Sequence, residues 1–311
     1  APNNASVSNL DSSLKRKKRF RVVGLPPPGR NGHTATLAPV RRRKNTDNYC
    51  SSYSEEGGEE EYDYRIFVIG GWLGAGPFAA SDLHVLDVTN IKDCLLRWLP
   101  VVDSCHCDTP GFKMEHNDDD GSQSETVQDN NVLLATGEPP GPCNMHSADF
   151  VSSQREIYVF RGGNGREYLN DLHALHVETM NWRVVETKGE KPQRRANHSS
   201  AFLQETKELF IFGGWNGVER LNDIHILQIE TSTWTRPQIG GMLPYPRAGM
   251  TLTALRGKIF LFGGSGTSSK CFNDLQIFDR KEMTWIDVIP NQRPPMLSSS
   301  HPNTESTASS K

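Results

Sequence analysis

Cys105-His106-Cys107 and His116 are side chains that could ligate zinc, since thiolates and imidazoles are its preferred donors. Their spacing is not the paired two-residue kind, and they lie in a stretch rich in Asp, Ser and Gln. No metal is therefore assigned to them. A second set of imidazoles, His33, His146 and His198, recurs at matching places in separate units, with Met250 in the fourth. Arg30, Cys143, Arg195 and Arg247 stand three residues before those positions. A histidine repeated once per unit reads as a capping or packing residue rather than as a metal ring. No Gly-x-Ser-x-Gly elbow is present for nucleophilic catalysis. Gly213-Gly214-Trp215-Asn216-Gly217 is glycine-rich but follows a strand and opens no helix, so it is not a phosphate loop. The expectation is no catalytic residue, no metal and no cofactor. Ser52 and Ser122 each have a Glu three residues on, an acidic kinase context in which phosphate would add unpaired negative charge.

The elements that must carry these residues are repeated. Four apolar runs each reach a glycine pair: Ile66–Ile69 before Gly70-Gly71, Ile157–Arg161 before Gly162-Gly163, Leu209–Phe212 before Gly213-Gly214 and Ile259–Phe262 before Gly263-Gly264. Each run is β-branched and aromatic, as suits a strand buried on both faces. The glycines mark its end, where backbones crowd and φ turns positive. Ser81-Asp82-Leu83, Asn170-Asp171-Leu172, Asn222-Asp223-Ile224 and Asn273-Asp274-Leu275 then open an alternating third strand. Trp98, Trp182, Trp234 and Trp285 mark a fourth. From the second copy onward the period is roughly 50 residues. Four short strands per unit cannot bury their faces alone and must stack around an axis.

In these features the chain resembles the Kelch-repeat β-propeller family, over about residues 20–289 apart from two insertions. The resemblance implies an all-β propeller of four-stranded antiparallel blades. It also implies a docking function, for instance as substrate adaptor of a ubiquitin ligase or as a scaffold. Some Kelch-fold proteins are copper oxidases or iron-dependent specifier proteins, which leaves a metal-dependent enzyme as the alternative.

Charge and composition narrow the partners. A net charge of −3 gives no drive toward nucleic acid or an anionic membrane, and no apolar stretch is long enough to span a bilayer. The six cysteines show no framework spacing and read as reduced thiols of an intracellular, cytoplasmic or nuclear, protein. Segment 1–19 holds the basic run Lys15–Arg19 and, like the Ser/Thr-rich tail 290–311, is predicted disordered. The same prediction covers the polar insertions at about 41–64 and 99–138. Phe20-Arg21-Val22-Val23 resembles Trp182-Arg183-Val184-Val185 and reads as an orphan fourth strand. Four full blades plus one orphan predict an incomplete ring, with further blades of the same chain beyond Lys311.

Binding is expected at the loops that follow the glycine pairs, where strand pairing does not dictate residue type. Trp72, Asn164, Arg166, Asn197, Trp215 and Asn216 are the candidate partner-binding residues. Tryptophan and arginine are favoured interface anchors. Arginine offers a planar fork to a carboxylate, and asparagine offers paired donors and acceptors. The expected ligand is an acidic or polar peptide, or a loop of a partner protein.

Overall fold

The computed structural model describes residues 19–42, 60–76, 78–103, 132–267, 271–286 and 288. It is built of β-strands, with one 3-10 turn at Ile91–Asp93. Among the described residues no helix is long and apolar enough to cross a membrane. Blade one holds β1 (Arg21–Val23), β2 (Thr34–Arg41), β3 (Tyr62–Ile69), β4 (Leu83–Asp87) and β5 (Leu95–Leu99). Blade two holds β6 (Val101–Asp103), β7 (Leu133–Gly137), β8 (Ser147–Val151), β9 (Glu156–Phe160), β10 (Leu172–His176) and β11 (Asn181–Val184). Blade three holds β12 (Lys188–Gly189), β13 (Ser199–Leu203), β14 (Glu208–Trp215), β15 (Arg220–Gln228) and β16 (Thr233–Thr235). Blade four holds β17 (Thr251–Leu255), β18 (Lys258–Phe262), β19 (Leu275–Asp279) and β20 (Thr284–Ile286). In each blade the four core strands pair antiparallel in chain order from the axis outward. Every apolar run ahead of a glycine pair is the second strand of its blade. The closing tryptophans all lie in the fourth.

Three apolar seams hold the blades together. Phe67, Ile69 and Val85 of blade one meet Ile157, Val159 and Leu175 of blade two. Tyr158, Phe160 and Ala174 then meet Leu209, Ile211 and Leu227. Phe210, Phe212 and Ile226 meet Ile259, Leu261 and Phe278. A polar seam runs closer to the axis. Gly32, Met145, Asn197 and Gly249 all have positive φ. The Met145 N–H donates to Gly32 O at 2.6 Å, that of Asn197 to Met145 O at 2.9 Å, and that of Gly249 to Asn197 O at 2.8 Å. Beside it, Nε2 of His146 meets the Thr34 hydroxyl at 2.9 Å and Nε2 of His198 meets the Ser147 hydroxyl at 3.0 Å. The recurrent histidines are thus clasps between successive blades, which is why they recur once per unit. Inner strands β2, β8, β13 and β17 pack in that order, with no comparable contact from β17 back to β2 among the described residues. The two end faces leave Leu37, Leu255, Phe262 and Leu275 exposed.

Four expectations need correction. Residues 21–23 are not an orphan fourth strand: β1 pairs in parallel with β5 of its own blade. The same parallel fifth strand recurs as β7 on β11 and β12 on β16, and Gly240 bridges Thr284 in parallel. The blades are therefore not purely antiparallel. The chain entering each blade passes the outer edge of that blade's own fourth strand before it turns inward. Gly24, Gly137, Gly189 and Gly241 make this passage possible. All have positive φ, and a Cβ on any of them would strike the carbonyl oxygen of Trp98, Trp182, Trp234 or Trp285.

The insertions are also shorter than expected. Tyr62–Tyr64 extend β3 against Pro39–Arg41, while Leu99, Val101–Asp103 and Leu133–Gly137 are strand residues. Segments 43–59 and 104–131, with Ser52, Ser122 and the Cys105–His116 cluster, lie outside the described residues, as do 1–18 and 289–311.

Finally, the glycine pair of the second copy is offset by one residue. Trp72, Gly163, Trp215 and Ser265 bridge Asn31, Asn144, Ala196 and Ala248 in turn. Gly162 therefore matches Gly71, Gly214 and Gly264, and Arg161 stands where the other blades have Gly70, Gly213 and Gly263. Those three have positive φ, which an arginine rarely adopts, and Gly162 and Gly163 do not have it.

Candidate functional site: the loop face

One end of the stack collects the loops between second and third strands and the linkers that lead into each inner strand, joined by the bridges just named. Beneath these loops each blade carries a charged clasp. Arg30 grips Asp82 with two hydrogen bonds, at 2.6 and 2.9 Å, and His84 completes the group. Arg195 grips Asp223 at 2.8 and 2.9 Å beside His225. Arg247 grips Asp274 at 2.7 and 2.9 Å beside Gln276. Blade two has Cys143 at the arginine position. There Arg161 supplies the guanidinium from the shifted glycine position, donating to Asp171 at 2.9 Å beside His173. Burial alone would raise the Asp82, Asp171 and Asp223 carboxyls. Hydrogen bonds from the histidines and arginines outweigh it and hold all three well below the usual range.

These groups are engaged with one another rather than aimed at a substrate. Burial pushes His146 and His198 down to about 3, so they are neutral imidazoles at neutral pH. Burial pushes the Cys143 thiol up to about 12, which removes it as a thiolate nucleophile. Among the described residues no three His, Cys, Asp or Glu side chains come together as a metal site.

The six candidate residues divide by role. Trp72 is exposed at 38% and donates through Nε1 to Gly76 O within its own loop at 3.2 Å. Trp215 is half-buried, with the Arg220 guanidinium 5.5 Å from its ring. The two stand on blades one and three with the second blade's loop between them. Arg166 is exposed and lies 4.4 Å over the Phe78 ring, joining the loops of blades one and two. Asn164 and Asn216 are occupied as loop caps. Oδ1 of Asn164 accepts from the N–H groups of Arg166 and Glu167, and Oδ1 of Asn216 from those of Val218 and Glu219. Asn197 serves through its backbone, as one link of the polar circle around the axis.

Sequence reasoning missed the linker into blade four. Met242 and Tyr245 are exposed at 75% and 73%, with Leu243 beside them, and Val218 projects from the neighbouring loop at 84%. Tyr245 stacks on Phe272 with ring centroids 6.2 Å apart. The signal was available. Counted from Gly189 and Gly241, Glu190-Lys191-Pro192-Gln193 aligns with Met242-Leu243-Pro244-Tyr245, so an apolar linker replaces a polar one. Asn170 and Asn222 confirm the alignment by donating to Pro192 O at 2.8 Å and Pro244 O at 3.1 Å. The arrangement offers apolar and aromatic area framed by arginines, which can bind a partner segment.

The model of the KLHDC2/KLHL20/DRC7 Kelch-repeats domain matches residues 123–307. Over 143 residues the chain is 34% identical to the Rho GTPase-activating protein gacHH of Dictyostelium discoideum, covering 43% of this chain and 9% of that protein. Over 169 residues it is 31% identical to acyl-CoA-binding domain-containing protein 4 of Arabidopsis thaliana, covering 54% and 25%. Over 141 residues it is 33% identical to dynein regulatory complex subunit 7 of Chlamydomonas reinhardtii, covering 45% and 12%. The matched part is a quarter or less of each of these relatives.

Proposed function

The chain belongs to the Kelch-repeat family, and from that premise we propose that it is a docking module whose loop face takes a segment of a partner protein. One observation carries this reading. Trp72, Leu73, Phe78, Val218, Met242 and Tyr245 are exposed together at that end, with Arg166 spread over Phe78 and Arg220 over Trp215. Folding does not place large apolar side chains in solvent-facing loops for stability, whereas tryptophan, tyrosine and arginine anchor interfaces. The relatives support it. The same build recurs within a Rho GTPase-activating protein, an acyl-CoA-binding-domain protein and a dynein regulatory subunit, beside activities with nothing chemical in common. A substrate adaptor of a ubiquitin ligase and a scaffold would both use such a face.

Arg166→Ala and Trp215→Ala test the reading in a pull-down from the native cell extract, with Lys281→Ala on the rim as control. The Lys281 side chain is 90% exposed. Loss of a central anchor costs about 2 kcal/mol or more, roughly thirtyfold in affinity. Partner recovery is expected to collapse in both face variants and to persist in the control. Full recovery by folded face variants would move docking to the rim.

A further inference from the structure

The geometry points to an anion-selective cleft on blade three that takes an acidic, apolar-flanked peptide segment. Two adjoining hollows, ≈ 430 and ≈ 390 Å³, lie between the linkers that enter and leave this blade, and Asn222, Asp223 and Arg236 line both. Lys191, Arg220 and Arg236 line the first hollow, and Arg236 the second as well. None of the three forms an ion pair among the described residues, whereas the arginines beneath the loops all grip carboxylates. Nε of Arg220 is buried without a hydrogen-bond partner. The buried Nε is out of a ligand's reach, so a carboxylate would be met by the terminal nitrogens of the guanidinium, whose planar fork suits it.

The acidic groups nearby leave that demand unmet. Asp223 is held by Arg195 and His225, and the Glu190 carboxylate accepts the backbone N–H of Arg236 at 3.0 Å. Glu219 is exposed at the rim of the first hollow. Beside the cations, Leu243 lines the second hollow and Met242 projects next to it. This apolar ledge is specific to the linker into blade four. A partner that offers Asp or Glu to the cations and an aliphatic or aromatic side chain to the ledge matches both halves. The cleft rests on the docking reading above and shares Arg220 and Met242 with it, but uses none of Trp72, Phe78 or Arg166.

A displayed library of random short peptides, selected on the full chain, provides the probe. Selected peptides are expected to be enriched in Asp or Glu next to Leu, Met or Phe. Their affinity, measured by fluorescence polarisation of the synthetic peptides, should fall as salt rises. Lys191→Glu and Arg236→Glu, both at exposed positions, should weaken binding about tenfold or more with an unchanged melting temperature. Arg166→Ala should bind like the parent chain. A selection without acidic enrichment, or acidic peptides that bind Arg236→Glu as tightly as the parent, would overturn the cleft. Peptides lost only in Arg166→Ala and Trp215→Ala would also overturn it, while leaving docking around those two residues standing. Peptides lost only in the cleft variants would uphold the cleft and confine docking on the loop face to it.

Discussion

Arg161 and Cys143 show how far one residue can move while a function is kept. Three blades take the clasp arginine from the start of the inner strand and have glycine at the end of the second strand. Blade two has cysteine at the first place and arginine at the second, and the guanidinium still reaches its aspartate. Arg161→Ala should therefore leave Asp171 half-buried without its guanidinium partner, held by His173 alone, at a cost of roughly 2 kcal/mol. The double variant Arg161→Gly, Cys143→Arg should recover part of that loss, because it restores the arrangement of the other blades. Thermal unfolding of the two proteins checks both expectations. Acid should also act through single residues. The buried histidines have folded values near 3, below the ordinary 6.5, so their contribution is complete above pH 6.5 and fades as pH falls toward 3. The depressed carboxyls of Asp82, Asp171 and Asp223 add a second loss below about pH 4. Asp149 opposes them. Burial raises its carboxyl to about 6, so its protonation favours the folded state as pH falls from 6. Two histidines and three aspartates outweigh one aspartate, and melting temperature should decline from pH 6.5 downward and steeply below 4.

The parallel outer strand is the element that composition hides. It is two to five residues long where it forms, as in β12 and β7. So short a run carries no readable period. Its signature is instead the glycine that follows, with positive φ and a tryptophan carbonyl where a Cβ would sit. Gly189→Ala is expected to cost about 1–3 kcal/mol, through left-handed strain and displacement of the Trp234 carbonyl. Gly29→Ala is the matched control. No heavy atom lies within 4 Å of the added Cβ, and φ is not positive there, so stability should be unchanged. Chemical denaturation of the two variants separates these outcomes.

At the scale of the molecule, the blades form a series with two unlike ends. The first two junctions pair a hydroxyl on one blade with a histidine on the next, over an apolar seam, and at the third the Ser199 hydroxyl accepts from the Leu252 N–H, with Met250 at the histidine position. The leading face of blade four repeats half of that pattern with exposed Thr251, Thr253 and Phe262, and blade one shows the other half with exposed His33 and Leu37. The 311-residue chain should accordingly bind a hydrophobic dye or associate with rising concentration. Phe262→Asp combined with Leu37→Asp should reduce either effect, as read by dye fluorescence and light scattering. A monodisperse chain that binds no dye would show these faces to be covered.

The repeat by itself specifies the blades. Glycine pairs, aspartate-led third strands and closing tryptophans recur because each answers a constraint internal to one blade: a backbone turn, a clasp partner, a seam filler. Continuous apolar runs likewise located the second strands, since burial on two faces dictates residue type along the chain, and alternation located the third. What connects blades is decided by distance in space. His146 meets Thr34, Arg166 meets Phe78 and the Gly24 backbone meets Trp98, and no local pattern states which partner waits at the other end. The candidate site divided the same way. Trp72 and Arg166 were legible as exposed loop residues, whereas only the structure shows that the Oδ1 atoms of Asn164 and Asn216 accept from their own loop amides. The cations of blade three come from two linkers and a hairpin loop that only the stacking of sheets brings together. Their unpaired state is a property of the tertiary field, which a sequence lists as charges without distances.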